Sequence, residues 1–445
     1  MATHDSRELG VETQAHFRRN MIINTVVDTG FGFGMSLFAV GTIIAAFLRH
    51  LGATNTVIGL APAITMAAMA LPQLPVTHWT RGLREKKKLF VAIHISAYAP
   101  WLVIAALTVL WASPHPQRMI VALLALMGLA YLMWGGGPPL WAQLLPRLFP
   151  DRARGMAVGV IVTAQGLAGV AGGLLAAWVL AHVAYPDNFA LLFLIAGAVM
   201  IVFRSLHLLS HESLPDEPPE VTREGMWRIV ARLWRSDRRL RRFVLARHIY
   251  EGGALVGNFF AVYALTRFHL PDQAAGKFTL ASCIGLAIVG PWLGRLGDRR
   301  GYRRVMGYAI VIWCATTAMI ALAPSLPIVY AAFVIGGVAA AADGVAYVNL
   351  LVEMSEEKTR GYYVALGSTV MAPLRLAAPF MWGRMSDQLA VGLHNPVLGL
   401  HSIFVWGIIL QALGWLALVA TMDDPRRPRQ RILHWHRGMG LPRLY

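Results

Sequence analysis

Residues 294–304 read Gly294-Arg-Leu-Gly-Asp298-Arg299-Arg-Gly301-Tyr-Arg303-Arg304, a basic, glycine-rich stretch between apolar runs at about 274–294 and 305–323. A turn this short between two long apolar segments needs a residue tolerant of unusual backbone angles, and Gly301 supplies one. Asp298 can pair with the arginines or cap the start of the adjoining helix. The same alternation of apolar run and basic connector extends in both directions. Twelve runs result, at about 20–47, 57–79, 89–112, 119–144, 156–183, 188–209, 243–266, 274–294, 305–323, 327–353, 361–384 and 399–421. A hydrocarbon core of ~30 Å needs ~20 helical residues, and each run meets or nearly meets that length. The chain therefore reads as an all-α membrane protein.

Composition agrees: 56% of residues are apolar and 14% charged. The runs do not alternate as barrel strands would. The net charge of +17 is a matter of topology. With a cytoplasmic N-terminus, 32 of the 40 Lys and Arg fall in the tails and connectors of the cytoplasmic side, and 5 in those of the other. That bias is the positive-inside rule, which puts both termini in the cytoplasm and argues against nucleic acid as a partner. Cys283 and Cys314 cannot make a disulfide framework or a thiolate metal site. The first run is too long for a cleavable signal and is expected to stay as the first helix.

The first six runs resemble the last six. Arg18-Arg19 precede Asp28 as Arg241-Arg242 precede Glu251, and Gln143 stands to Arg154 as Asn349 stands to Arg360. This divides the chain into a six-helix unit at 1–209, a linker at 210–242, a second six-helix unit at 243–422 and a basic tail at 423–445. The linker opens acidic and Pro-rich (Glu212, Asp216, Glu217, Pro218, Pro219, Glu220). An amphipathic stretch follows, with Trp227, Val230, Leu233 and Trp234 opposite Arg228, Arg232, Arg235 and Arg239. It reads as a helix in the cytoplasmic headgroup layer. The tail arginines, Arg426 to Arg443, are likewise expected to contact anionic lipid.

The motif at Gly294, Asp298, Arg299, Gly301, Arg303 and Arg304 resembles the loop motif of the major facilitator superfamily, in its second-half position. The resemblance covers about 20–422 and implies a fold of two pseudo-symmetric six-helix halves. The first-half copy has decayed: with Pro75 over Pro291, Gly82 stands in the place of Asp298. The arginine that proton-driven drug antiporters carry within helix 4 is missing, and the helix 5 glycines match the antiporter motif only in part. What the resemblance implies is secondary transport of a small solute by alternating access across a bacterial-type inner membrane. A gradient of protons or another ion, or the solute's own gradient, would drive it, with export favoured over uptake.

Charges inside spans are expensive and usually have a task. Asp28 lies ~13 Å beyond Arg19 at helical rise, in a polar stripe of Asn20, Asn24, Asp28, Gly32 and Ser36. Glu251 is at the matching depth on the seventh run, with Asn258 one heptad on; Asp343 lies on the tenth, and Arg375 on the eleventh between Pro373 and Pro379. In the resembled fold helices 1, 4, 7 and 10 line the central cavity, which makes Asp28, Glu251, Asp343, Asn24 and Asn258 candidates for proton coupling or cavity lining. The alternative is local pairing, Glu251 with Arg247 and Asp343 with Arg375. Arg375 is thus a buried ion-pair partner or an anion site.

Gly135-Gly136-Gly137-Pro138-Pro139 should break the fourth helix, as a hinge or cavity wall in preference to simple close packing. His94 reads as a packed residue, and His434 and His436 do not make a metal site. No nucleotide loop, H-E-x-x-H or G-x-S-x-G motif is present, so no catalysis, cofactor or metal is expected. The chain is expected to act as a monomer. The competing reading is a transporter-like membrane scaffold or sensor, which measurable solute flux would exclude.

Overall fold

A computed structural model describes residues 12–214, 224–355 and 359–422, with some side chains inside helices left out, and among these every regular element is helical. Twelve helical passes follow in order: α1 Phe17–His50, α2 Asn55–Thr80, α3 Lys87–Trp111, α4 Pro116–Leu148, α5 Asp151–His182, α6 Asp187–Leu209, α7 over 238–267, α8 Gln273–Arg300, α9 Tyr302–Leu322, α10 Leu326–Met354, α11 Gly361–Gly392 and α12 Pro396–Thr421. A separate connector helix, Met226–Ser236, lies between α6 and α7. Ten helices among the described residues are long and apolar enough to cross a bilayer; α8 contributes a shorter apolar segment, and α7 begins with Arg238, Arg239, Arg241 and Arg242.

Local chemistry sets the ends. Thr54 caps α2 by accepting from Val57 N, and Asn395 caps α12 by accepting from Val397 and Leu398 N, ahead of Pro396 in the first turn. Gly301 separates α8 from α9 at φ +85°, the backbone angle the sequence pattern required. Large apolar side chains such as Leu110, Val121, Trp292 and Val391 are exposed around the bundle, as lipid-facing side chains are. The molecule is a multi-pass membrane protein.

Inside, small residues bring backbones together, the usual way helices pack in lipid. A Cβ on Gly59 of α2 would lie 2.3 Å from the Pro379 carbonyl oxygen of α11, and one on Gly383 would lie 2.3 Å from that of Asn55. The α2–α11 seam therefore tolerates glycine alone at these two points. The other seam pairs α5 with α8, where Gly169 faces Cys283 and Gly276 faces Ala177. Both cysteines are free.

One sequence reading changes here. The connector helix does not give its apolar side to lipid: Ile229 and Leu233 are buried against the protein, Val230 and Trp234 are half-buried, and Trp227 is 70% exposed. The polar stripe of α1 also faces protein. Asn20 Nδ2 donates to the carbonyls of Leu148 and His211, Asn24 Nδ2 to Asn20 O, and Gly32 rests on the Gln165 backbone. Asn24 is fully buried. The break at Gly135–Pro139 is real, since one helical segment ends at Trp134 and the next begins at Gly137. Two of its glycines also sit at close approaches: a Cβ on Gly135 would meet Met69 O at 2.3 Å, and one on Gly137 would meet the His94 ring at 2.6 Å.

Candidate functional site

The embedded charges form two groups. In the first, Arg247 of α7 gives its Nε to Glu251 one turn along at 2.9 Å and both terminal nitrogens to Asp343 of α10, with Nη2 2.8 Å from Oδ2. Arg375 of α11 takes the other side of Glu251 and also reaches Ser368 Oγ at 3.3 Å. Tyr347 lies under the Arg247 guanidinium at 4.8 Å, and Tyr250 at 5.2 Å. Two cations and two anions make this group neutral, and three helices share it. Desolvating such a cluster offsets much of its mutual attraction, but removing one partner leaves a buried charge unpaired. The expected Glu251–Arg247 pair is present. The expected Asp343–Arg375 pair is not, because Arg247 reaches both acids and Arg375 is left to Glu251 alone. Arg375 is an ion-pair partner here.

The second group joins α1, α3 and α6. Gly30 packs against Phe203, which brings Asp28 to the α6 turn carrying Arg204. Asp28 makes no hydrogen bond or ion pair among the described residues; Arg204 and Tyr98 are its electrostatic neighbours. Arg204 is 5% exposed and lies over the Phe90 ring at 5.2 Å. Around the same ring stand His94 at 4.3 Å and His207 at 5.2 Å. His94 Nδ1 donates to Phe90 O at 2.8 Å, while neither nitrogen of His207 has a hydrogen-bond partner among the described residues. Of the polar candidates, Asn258 donates to Leu255 O and faces Gly41 of α1.

Further contacts close the bundle at opposite ends between the first six helices and the last six. At the end without the basic connectors, Asp387 of α11 accepts from Asn55 N at 3.0 Å and Thr56 N at 2.7 Å, capping α2 from across the seam. Nearby, His50 Nδ1 is 2.7 Å from Asp272 Oδ2. At the basic end, the Tyr362 hydroxyl of α11 accepts from Arg81 Nη1 at 3.0 Å and lies 2.8 Å from His78 Nδ1. Thr369 Oγ1 donates to Ala70 O at 3.1 Å. Leu74, Ile229, Leu233, Tyr362 and Tyr363 share one buried apolar cluster, so the connector helix lies across this contact. Tyr363 donates to Asp237 at 2.7 Å, and Arg232 pairs with Glu224 at 2.8 Å.

In the motif at 294–304, Gly294 and Asp298 lie within α8 with their side chains outside the described residues. Arg299 is exposed, and Arg303 Nη2 reaches Val419 O of α12 at 2.9 Å. Tail residues 423–445 and linker residues 215–223 also lie outside the described residues. Sequence reasoning passed over Asp387, Tyr362 and Arg204. It also read Glu212 as linker, whereas Glu212 is 6% exposed, accepts from Lys86 and Lys87 N at the start of α3 and pairs with Arg147 at 2.7 Å.

Twelve helical passes that meet through separate contacts at either end, with charges buried between helices, define a polytopic helical membrane-protein fold. The sequence profile of the Major Facilitator Superfamily matches residues 29–278 and 249–372. The chain belongs to that superfamily. Among solved structures, the D-xylose-proton symporter superposes with a TM-score of 0.68 at 14% identity, covering 91% of this chain and 98% of that one. The human organic anion transporter MFSD10 gives 0.65 at 15%, covering 90% and 99%. A bacterial homologue of the human lysosomal transporter Spinster gives 0.63 at 18%, covering 93% and 99%. These likenesses speak for the fold alone. The drug efflux pump JefA of Mycobacterium tuberculosis is 26% identical over 173 residues, 38% of this chain. The chain spans about a third of the length (32%) of the curated relatives it matches.

Proposed function

We propose that the chain is a secondary transporter that exports a small solute by alternating access and is coupled to protons at Asp28. The observation that carries this reading is the contrast among the embedded acids. Glu251 and Asp343 are held in ion pairs by Arg247 and Arg375, whereas Asp28 has neither an ion pair nor a hydrogen bond among the described residues. A carboxylate free of fixed partners is the one that can gain and lose a proton during a cycle. The contacts at the two ends support alternation, since each is a small set of hydrogen bonds that can break without dismantling the other. The likeness to an efflux pump supports export. The basic end is assigned to the cytoplasm of a bacterial-type inner membrane, with both termini there. Units 1–209 and 243–422 move against each other, joined by the linker 210–242.

In proteoliposomes, Asp28→Asn is expected to abolish accumulation driven by a proton gradient while sparing solute counterflow. Full proton-driven accumulation by the variant would overturn Asp28 as the coupling site. Absence of any flux from the wild-type protein, across a metabolite and drug library chosen by thermal shift, would favour the scaffold reading.

A further inference from the structure

The outer face of the last six helices carries a groove of about 570 Å³ between α9 and α12. Its walls are Gly307, Tyr308, Val311, Ile312, Trp415 and Leu418, and Arg303 and Arg304 stand at its mouth on the basic end. Two features distinguish it from an ordinary helix crevice. The apolar walls end at paired guanidinium groups one turn before Gly307, the spacing at which a chain in the groove would bring its charged head to the arginines. Charge there is also unspent: among the described residues Arg303 Nε is buried without a hydrogen-bond partner, and Arg304 is exposed without an ion pair. A Cβ on Gly307 would lie 3.7 Å from Trp415 Nε1, so the missing side chain leaves that part of the groove open beside an indole N–H.

We propose that this groove is a binding site for one anionic phospholipid. An acyl chain lies along Val311, Ile312 and Leu418, the ester region meets the Trp415 N–H, and the phosphate is held by Arg303 and Arg304. The chemistry is complementary at each level: apolar wall to hydrocarbon, an amphipathic indole at the interface, and guanidinium to phosphate. Basic pockets between transmembrane helices are where anionic headgroups bind. The site also touches function, because Arg303 follows the Gly301 turn and ties it to α12 through Val419 O. It stands whether or not Asp28 couples protons.

The test uses purified, delipidated full-length protein, titrated with dioleoyl phosphatidylglycerol or dioleoyl phosphatidylcholine in mixed micelles. Binding is read by native mass spectrometry and thermal shift. Phosphatidylglycerol is expected to bind at least tenfold more tightly than phosphatidylcholine, and inorganic phosphate is expected not to substitute. Arg303→Gln with Arg304→Gln should erase the preference between headgroups. Gly307→Leu, which fills the groove without touching a charge, should weaken both lipids tenfold; should it not fold, Val311→Trp on the same wall serves. Arg299→Gln with Arg300→Gln, in the same turn but outside the groove, should bind as wild type. Equal binding of the two lipids, an equal effect of inorganic phosphate, wild-type binding by the filled groove, or equal loss from Arg299 and Arg300 would each overturn the site.

Discussion

Arg247 grips Asp343 with both terminal nitrogens and gives its Nε to Glu251, so one guanidinium holds acids on two helices. Arg375 holds only Glu251 among the acids. The two arginines are therefore unequal. Arg247→Gln leaves Asp343 without its cation and should cost ~3–5 kcal/mol, whereas Arg375→Gln leaves Glu251 still paired and should cost less. Detergent thermal melts check this through double variants. Asp343→Asn should restore much of the loss in Arg247→Gln and none of the loss in Arg375→Gln. Rescue of Arg375→Gln by Asp343→Asn would mean that the two pair directly in the membrane.

The contacts at the two ends predict opposite biases. Asp387→Asn removes the charge that caps α2 across the seam, a charge-assisted interaction worth about 0.5–2 kcal/mol. It should favour states open at that end, read as faster thiol labelling of a cysteine placed at Thr54 in a background lacking Cys283 and Cys314. Tyr362→Phe removes the acceptor shared by His78 and Arg81 and should speed labelling of a cysteine placed at Leu83 instead. Both variants opening the same end would contradict the division of labour.

The twelve passes, the glycine turn and the buried charges were legible in the sequence because each leaves a one-dimensional trace. Apolar length marks a span, φ +85° needs Gly301, and a charge inside an apolar run must face protein. Pairing was not legible. Asp343 was expected to pair with Arg375, but the sequence does not decide among competing donors, and Arg247 takes both acids. Asp387 and Tyr362 were missed because each acts across the seam, where no spacing along the chain reports contact. Glu212 looked like linker because its partners, the first amides of α3 and Arg147, lie more than sixty residues away.

Lys86 gives a pH dependence. It is 2% exposed, and burial, with Arg147 adding to it and Glu212 opposing, pulls its ammonium down to about 8. The unfolded chain keeps the ordinary value of 10.5. Between these values the unfolded state binds the extra proton, so stability rises with pH. Below pH 8 the cost of the buried charge is present in full. The melting temperature of wild type relative to Lys86→Met should therefore climb between pH 7.5 and 9.5. A difference that stays flat would place Lys86 in water.

Gly137 and His94 make the last case, because the helix break and the histidine are one feature. His94 Nδ1 donates to Phe90 O, which fixes the ring, and the ring fills the space that a side chain at 137 would need, with Cε1 2.6 Å and Nε2 2.9 Å from an added Cβ. Gly137→Ala should cost about 1–3 kcal/mol by overpacking. The ring is part of a packed aromatic group with Phe90 and Tyr98, so it cannot swing away cheaply. His94→Ala alone should also destabilise, through the cavity it leaves. The combination should be less damaging than the sum, since the new methyl enters the space the ring vacates. Thermal melts of the four proteins measure the coupling. Additive losses would show that α4 shifts as a whole and that the break is a hinge after all.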